Sequence, residues 1–524
     1  MTNSKGPIER IIIVGGGTSG WITAAMLTKI LQGRCTVTVL ESPAIGRIGV
    51  GEASVPSIKE EVFDFLGIPE ETWMPACQGT YKLGIKFVDW VFDQAGRSRD
   101  FYHLFGEVDD VDRIPLTHYW LKKRLQGFEG NLDHTVYAAK ALCDANRSPR
   151  YLDGRHAENY AYHFDAALVA EFLTGWAIDH GVQRIEATIT DVQQDERGWV
   201  SGLVTDDGET HSADLYIDCS GFRGLLINQT LDEPFISVKN NLFCDRAVAM
   251  NRTNAEDEDL EPYSTATALS SGWTWKIPLM TRTGNGYVYS SDFLTESEAE
   301  AEFRRHLGVG PDEGTCRHLR MRVGRNRRAW VHNVVAVGLS YSFLEPLEST
   351  GIYSAYAAVH QLMRHFPEKD MDPRLQDHFN ERVAFMVDDI RDFIVMHYAI
   401  TNREDSAFWR TCKEELPLSD TLKETLDLYM SGVPVKLSYS GEAIYKHFDA
   451  SFDRFWTNSN YLAILVGMGK VPDRAMPLLS YKKEALAQAE SRFNQIQIEG
   501  QRLVQALPSH REYLDNIARM APTG

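Results

Sequence analysis

Four apolar residues, Ile11 to Val14, follow a polar lead and give way at once to Gly15-Gly-Gly17-Thr-Ser-Gly20. Such a run predicts a buried strand, the glycines a tight turn, and the apolar positions of Trp21 to Leu31 a helix. A second apolar run, Cys35 to Leu40, ends at Glu41 and completes a βαβ opening. Further on, Asp214 to Asp218 and Val334 to Val337 each read as a buried strand running into a glycine turn, at Gly221 and Gly338. Tyr353 to Phe366 has the apolar spacing of a helix, and Tyr81 to Trp90 reads as a strand that Lys86 interrupts. In Gly272-Trp-Thr-Trp-Lys-Ile-Pro278 two tryptophans two residues apart share one face of a strand that the proline ends. On its own that pair would describe an aromatic core strand. Glu296 to Leu307 and Lys482 to Leu507 predict charged helices with solvated faces. The polar lead passes into a β-branched run, unlike a signal peptide, and no apolar run approaches a membrane span, so a cytoplasmic location is expected.

Composition narrows the classes. At 524 residues and 43% hydrophobic content the chain can bury a large core. With 54 Lys plus Arg against 73 Asp plus Glu, the net charge is −19 and no basic run could track a phosphate backbone, so nucleic acid is not an expected partner. Seven scattered cysteines without C-x-x-C spacing argue against a disulfide framework, and the sixteen histidines show no metal-ligand spacing, so no metal is expected.

The βαβ opening carries its own chemistry. Gly15 allows the turn, Gly17 lets backbone approach a pyrophosphate at the helix N-terminus beside Thr18, and Gly20 lets helix and strand pack closely. Glu41 follows Gly20 at the spacing of a carboxylate that accepts from ribose hydroxyls. FAD and NAD both use this device. Ser349, Thr350 and Gly351 precede the helix of Tyr353, whose N-terminal amides attract anions. A lysine such as Lys86 in an apolar neighbourhood needs a partner or a purpose, although a snorkelling lysine on an edge strand satisfies the pattern as well.

Trp273-Thr-Trp275-Lys-Ile-Pro278 resembles the W-x-W-x-I-P signature of flavin-dependent halogenases of the tryptophan halogenase family. The likeness extends from Ile11 to about Tyr461. It implies FAD as cofactor, with Asp218 and Leu339 in further cofactor-binding segments and Ser42, Ile45 and Ala53 in a flavin strap. It implies a halide held at Thr350 and Gly351, Ile352 against the flavin ring, Trp273 and Trp275 shielding the flavin, and Lys86 with Glu348 as catalytic pair. Reduced FAD and O2 would convert chloride or bromide to hypohalous acid, which halogenates an electron-rich ring. A single dinucleotide fingerprint points to a separate NAD(P)H-dependent flavin reductase as the source of reduced flavin. A homodimer is compatible with the resemblance.

The implied ring site comprises His103, Phe105, Phe455, Trp456 and Asn460. Family members acting on free tryptophan bind its amino and carboxylate groups with two adjacent tyrosines and a glutamate. Here Ile444, Tyr445 and Ser451 hold those positions, which removes the countercharge for an ammonium, worth roughly 1.5–3 kcal/mol when desolvated. Indole or a substituted indole is therefore the expected substrate. The expected fold class is mixed α/β: a Rossmann-like FAD module over residues 1–400 with insertions at about 87–160 and 225–330, completed by a helical segment, 401–524, in one unit. The competing readings are an FAD-dependent aromatic hydroxylase, which gives Lys86 and the tryptophan pair no role, and a non-catalytic flavin or redox-sensing protein.

Overall fold

Apolar alternation and glycine placement build two sheets that share one core. In the computed structural model, residues 5–46, 51–93, 95–435 and 455–520 are described. The nucleotide-type sheet has six strands in the order Gln183–Glu186, Thr36–Glu41, Arg10–Val14, Leu215–Asp218, Val334–Ala336 and Trp330–Val331. All neighbours are parallel except the last pair. Its central strands are buried on both faces, as a parallel sheet covered by helices requires. The helix Thr18–Leu31 packs against it, and Ala166–Asp179 and Gly351–Arg364 pack on that helix in turn.

The second sheet has seven strands in the order Arg317–Arg320, Arg246–Thr253, Arg282–Tyr289, Gly272–Pro278, Ser264–Leu269, Gly84–Val88 and Phe101–Leu104. The expected single strand from Tyr81 to Trp90 is in fact two. Thr80–Lys82 pairs with Ala161–Phe164 in a small third sheet, and the chain then crosses at Leu83 so that Gly84–Val88 joins the seven-stranded one. The backbone amide of Leu83 donates to Pro262 O and its carbonyl accepts from Phe105, which satisfies the polar groups at the crossing.

The strand Gly272–Pro278 ends at its proline as expected. Trp275 lies opposite Ala266 on one neighbouring strand and Gly286 on the other. A Cβ at Gly286 would fall 2.1 Å from the indole of Trp275, so the glycine makes the space in which that ring lies across the sheet. Long helices, Pro373–Ala399 and Lys483–Ala506 among them, close the remaining faces, and one hydrophobic core runs from Ile8 to Ile517.

Candidate active site

A cavity of about 910 Å³ lies between the two sheets, at the upper end of the roughly 300–1,000 Å³ usual for small-molecule sites. Gly15, Gly17, Thr18, Glu41, Ser42, Ile45 and Ala53 line one region of it, and Trp273, Trp275, Leu339, Glu348, Ser349, Gly351 and Ile352 another. The glycines divide the labour. Cβ atoms at Gly15 and Gly20 would strike the Cys219 and Gly15 carbonyls at 2.4 and 2.0 Å, whereas one at Gly17 would meet nothing within 4 Å. Gly17 therefore faces open space at the N-terminus of the helix Thr18–Leu31, the arrangement that admits a pyrophosphate. Glu41, at the end of the next strand, accepts from Arg184 Nε at 2.6 Å, so a ribose there would meet a carboxylate and a guanidinium together. These residues fit FAD.

Of the residues grouped with the cofactor, Gly20 packs the helix onto the strand, the part given to it in the sequence, and does not line the cavity. Asp218 is fully buried, and its carboxylate accepts from the Ser220 amide and hydroxyl and from the amides of Leu226 and Ile227. Its acceptor capacity is spent on shaping the turn, whose residues Cys219 to Gly221 reach the cavity in its place.

The wall between the nucleotide region and the ring site is Glu345 to Ile352. Glu348 and Ser349 both take left-handed backbone, φ 67° and 60°, at a cost of roughly 1–3 kcal/mol each. The strain aims their side chains at fixed partners. Glu348 Oε2 is 2.8 Å from His103 Nδ1, and Oε1 is 3.1 Å from His397 Nε2. Burial pushes the Glu348 carboxyl up, but its contacts with His103 and then His397 outweigh it and hold the group well below the usual carboxylate range. Glu345, three residues earlier, accepts from Tyr398 Oη, and burial pushes it up to about 8.

The lysine beside this pair is Lys82, not Lys86. Successive strand residues face opposite sides. Ile85 lines the cavity and Phe87 stacks on Phe101, so Lys86 is turned the other way, where its Nζ pairs with Asp100 at 3.2 Å near the surface. Tyr81 points to Glu70, and Lys82 points inward with no exposed surface. Its Nζ donates to the Ser54 carbonyl at 3.0 Å and to Ser349 Oγ at 2.8 Å, and stands 4.8 Å from the centroid of the Phe105 ring. Burial brings the Lys82 ammonium down to about 7, partly offset by Glu348.

Of the residues expected at the ring site, His103 contacts Glu348, and Phe105 and Trp456 flank His103. His103 lies 6.3 Å from both Phe105 and Trp456, Trp456 is stacked on Phe393 at 3.9 Å, and Phe455 on Tyr353 at 4.1 Å. His103 and Asn460, however, are tied to the protein: Asn460 Nδ2 donates to His103 Nε2 at 2.8 Å, and His103 holds Glu348. Ile444, Tyr445 and Ser451 lie outside the described residues. Thr350 is buried just off the cavity, while Gly351 reaches it at the start of a helix with no side-chain cap. Sequence reasoning missed Lys82 and His397. Both carried a signal, a charged or polar residue inside an apolar run, which Lys86 carried equally.

A dinucleotide-type cavity joined through one strained wall to a buried carboxylate and aromatic rings defines a flavoenzyme acting on an arene. The chain belongs to the tryptophan halogenase family, whose model matches residues 10–484, and is a flavin-dependent halogenase. It is 45% identical to a tryptophan 6-halogenase of Streptomyces albogriseolus over 97% of this chain and 98% of that protein. It is 44% identical to a tryptophan 7-halogenase of Lentzea aerocolonigenes over 97% and 99%. Among solved structures, a tryptophan C-6 flavin-dependent halogenase (chlorinase) from taromycin biosynthesis superposes with a TM-score of 0.87 at 39% identity, over 97% of this chain and 99% of that one.

Proposed function

We propose that the enzyme uses reduced FAD, O2 and chloride or bromide to halogenate an indole ring, the reduced flavin arriving by diffusion from a separate NAD(P)H-dependent reductase. The observation that carries this reading is the bond from Lys82 Nζ to Ser349 Oγ, which sets a buried amine beside Glu348 on the wall of the flavin cavity. When bound, reduced FAD with O2 supplies the oxidising equivalents that turn halide into hypohalous acid. Gly351, with Thr350 before it, offers uncapped helix amides to the halide. Trp273 and Trp275 wall the cavity and keep organic substrate from the flavin.

Lys82 receives the oxidised halogen. Two of its N–H bonds serve Ser54 and Ser349, which leaves the lone pair of the free amine to take the halogen from hypohalous acid, the departing hydroxide leaving as water with one of the amine's protons. With its pKa near 7, a large share of Lys82 is free amine at neutral pH. Glu348 stabilises the positive charge on the attacked ring and stands ready for its proton. Phe105 and Trp456 offer flat walls to the ring.

Serine at position 451 favours an indole without the amino-acid head group. Free tryptophan is the second reading, favoured by what the relatives are named for acting on. A mass-spectrometric assay with FAD, NADH, a flavin reductase and bromide or chloride, offering indole and L-tryptophan in parallel, tests both. Halogen isotope doublets are expected on indole, lost in Lys82→Ala and kept in Lys86→Ala. A strong preference for tryptophan overturns the head-group argument, and halide-independent gain of oxygen would make the protein a hydroxylase.

A further inference from the structure

The two histidines that hold Glu348 differ in what their other nitrogen faces. The Thr457 amide can only donate, so the Asn460 atom 2.8 Å from it is Oδ1, and Nδ2 is left to donate to His103 Nε2. His103 Nε2 thus carries a lone pair. Its Nδ1 bears the single proton of a neutral ring and gives it to Glu348 Oε2. His397 is turned about. Its Nδ1 lies 2.8 Å from the Phe393 carbonyl, which only accepts, so Nδ1 is protonated. A neutral His397 would then present a lone pair at Nε2 to a Glu348 lone pair across 3.1 Å between two buried side chains. A proton has to lie between them.

We propose that Glu348 and His397 hold that proton in common, with His397 as the imidazolium, and that His397 is the positioning residue that keeps Glu348 an anion in a dry site. The proposal rests on the role given to Glu348 above. Because the Glu348 carboxylate also accepts from His103 Nδ1, two donors converge on it, which favours the anion over the neutral acid, and the proton sits on nitrogen. The surroundings of His397 supply no substitute: Phe87, Trp90 and Phe393 pack around its ring, and the adjacent Tyr398 turns to Glu345. Lys82 reaches Ser349 from the strand Thr80–Lys82, and two other acids, Glu345 and Glu52, are pushed up by burial to about 8 and about 7. Those groups titrate near neutrality themselves, so the test has to single out Glu348.

His397→Gln keeps a neutral donor near Nε2 and removes the charge. In the flavin-free protein at neutral pH, a carboxylic C=O stretch absent from the wild type is expected in the infrared, and it should vanish in the His397→Gln/Glu348→Gln double variant. His103→Asn, a neutral donor for a neutral donor, should produce no such band. In the loaded enzyme His397→Gln should lower kcat roughly 10- to 100-fold near pH 7, with recovery toward alkaline pH and little change in the KM of the arene, as an unpaired buried carboxyl requires. No new band together with a wild-type pH profile overturns the proposal. Should the variant fail to fold, ¹⁵N resonances of the wild-type imidazoles decide: one histidine doubly protonated through the neutral range supports the proposal, and none overturns it. Wild-type turnover in Glu348→Gln would instead remove the role of Glu348 and leave the infrared result standing.

Discussion

A lysine without exposed surface is most comfortable uncharged, and Lys82 therefore links the chemistry of the site to the stability of the fold. Below about pH 7 it carries a proton in both the folded and the unfolded chain, and burial exacts its full cost. Between about 7 and 10.5 the unfolded chain holds a proton that the folded one has released, so native stability rises with pH across that window. Lys82→Met should accordingly stabilise the protein by roughly 2–4 kcal/mol at or below pH 7, after allowance for its two lost hydrogen bonds, with the gain fading toward pH 10. Urea unfolding at several pH values checks this, and a destabilised or pH-independent variant would contradict it. Lys82 and Lys86 looked alike in the sequence because both interrupt one apolar stretch. What separates them is the change of sheet at Leu83, a tertiary event that local alternation does not encode. Glu348 was legible. The left-handed backbone that aims it at two histidines was not, since nothing in Leu-Glu-Ser-Thr demands it.

At the level of elements, period-2 and glycine signals located the nucleotide turn, the strand Gly272–Pro278 and the helix after Gly351. Short strands with long-range partners were beyond them, as the split of Tyr81 to Trp90 illustrates. The tryptophan strand depends on its neighbour: Trp275 lies where Gly286 has no side chain. Gly286→Ala should press the indole toward the flavin cavity and weaken FAD binding by about tenfold, an overpacking cost of roughly 1–3 kcal/mol expressed at the ligand. Titration of flavin fluorescence would show it, and unchanged affinity would mean that the ring repacks elsewhere. Asp218 shows the limit of motif reading from the other side, because a carboxylate at a strand end serves either a ligand or its own turn, and only the amides of Ser220, Leu226 and Ile227 decide which.

For the molecule as a whole, the fold class was read correctly from the βαβ opening and the family resemblance, and the comparisons agree with it. The net charge of −19 acts on ligands that are themselves anionic, halide and reduced FAD. Their approach is opposed by the long-range field, so a non-halide salt raised from low to physiological strength should speed FAD association and lower the apparent KM for halide severalfold. Stopped-flow binding and steady-state kinetics at matched pH would measure both, and rates that fall with salt would place a local positive funnel at the entrance. Within the ring site the balance is different. With His397 positive and Glu348 negative, the pair is a dipole without net charge, and it exerts little pull on an ionic group some distance along a substrate. The aromatic ring is thus judged by shape and by how it carries positive charge during reaction, and any head group is judged elsewhere. One reactive centre can then be readdressed to differently decorated indoles by exchanging residues that never touch it.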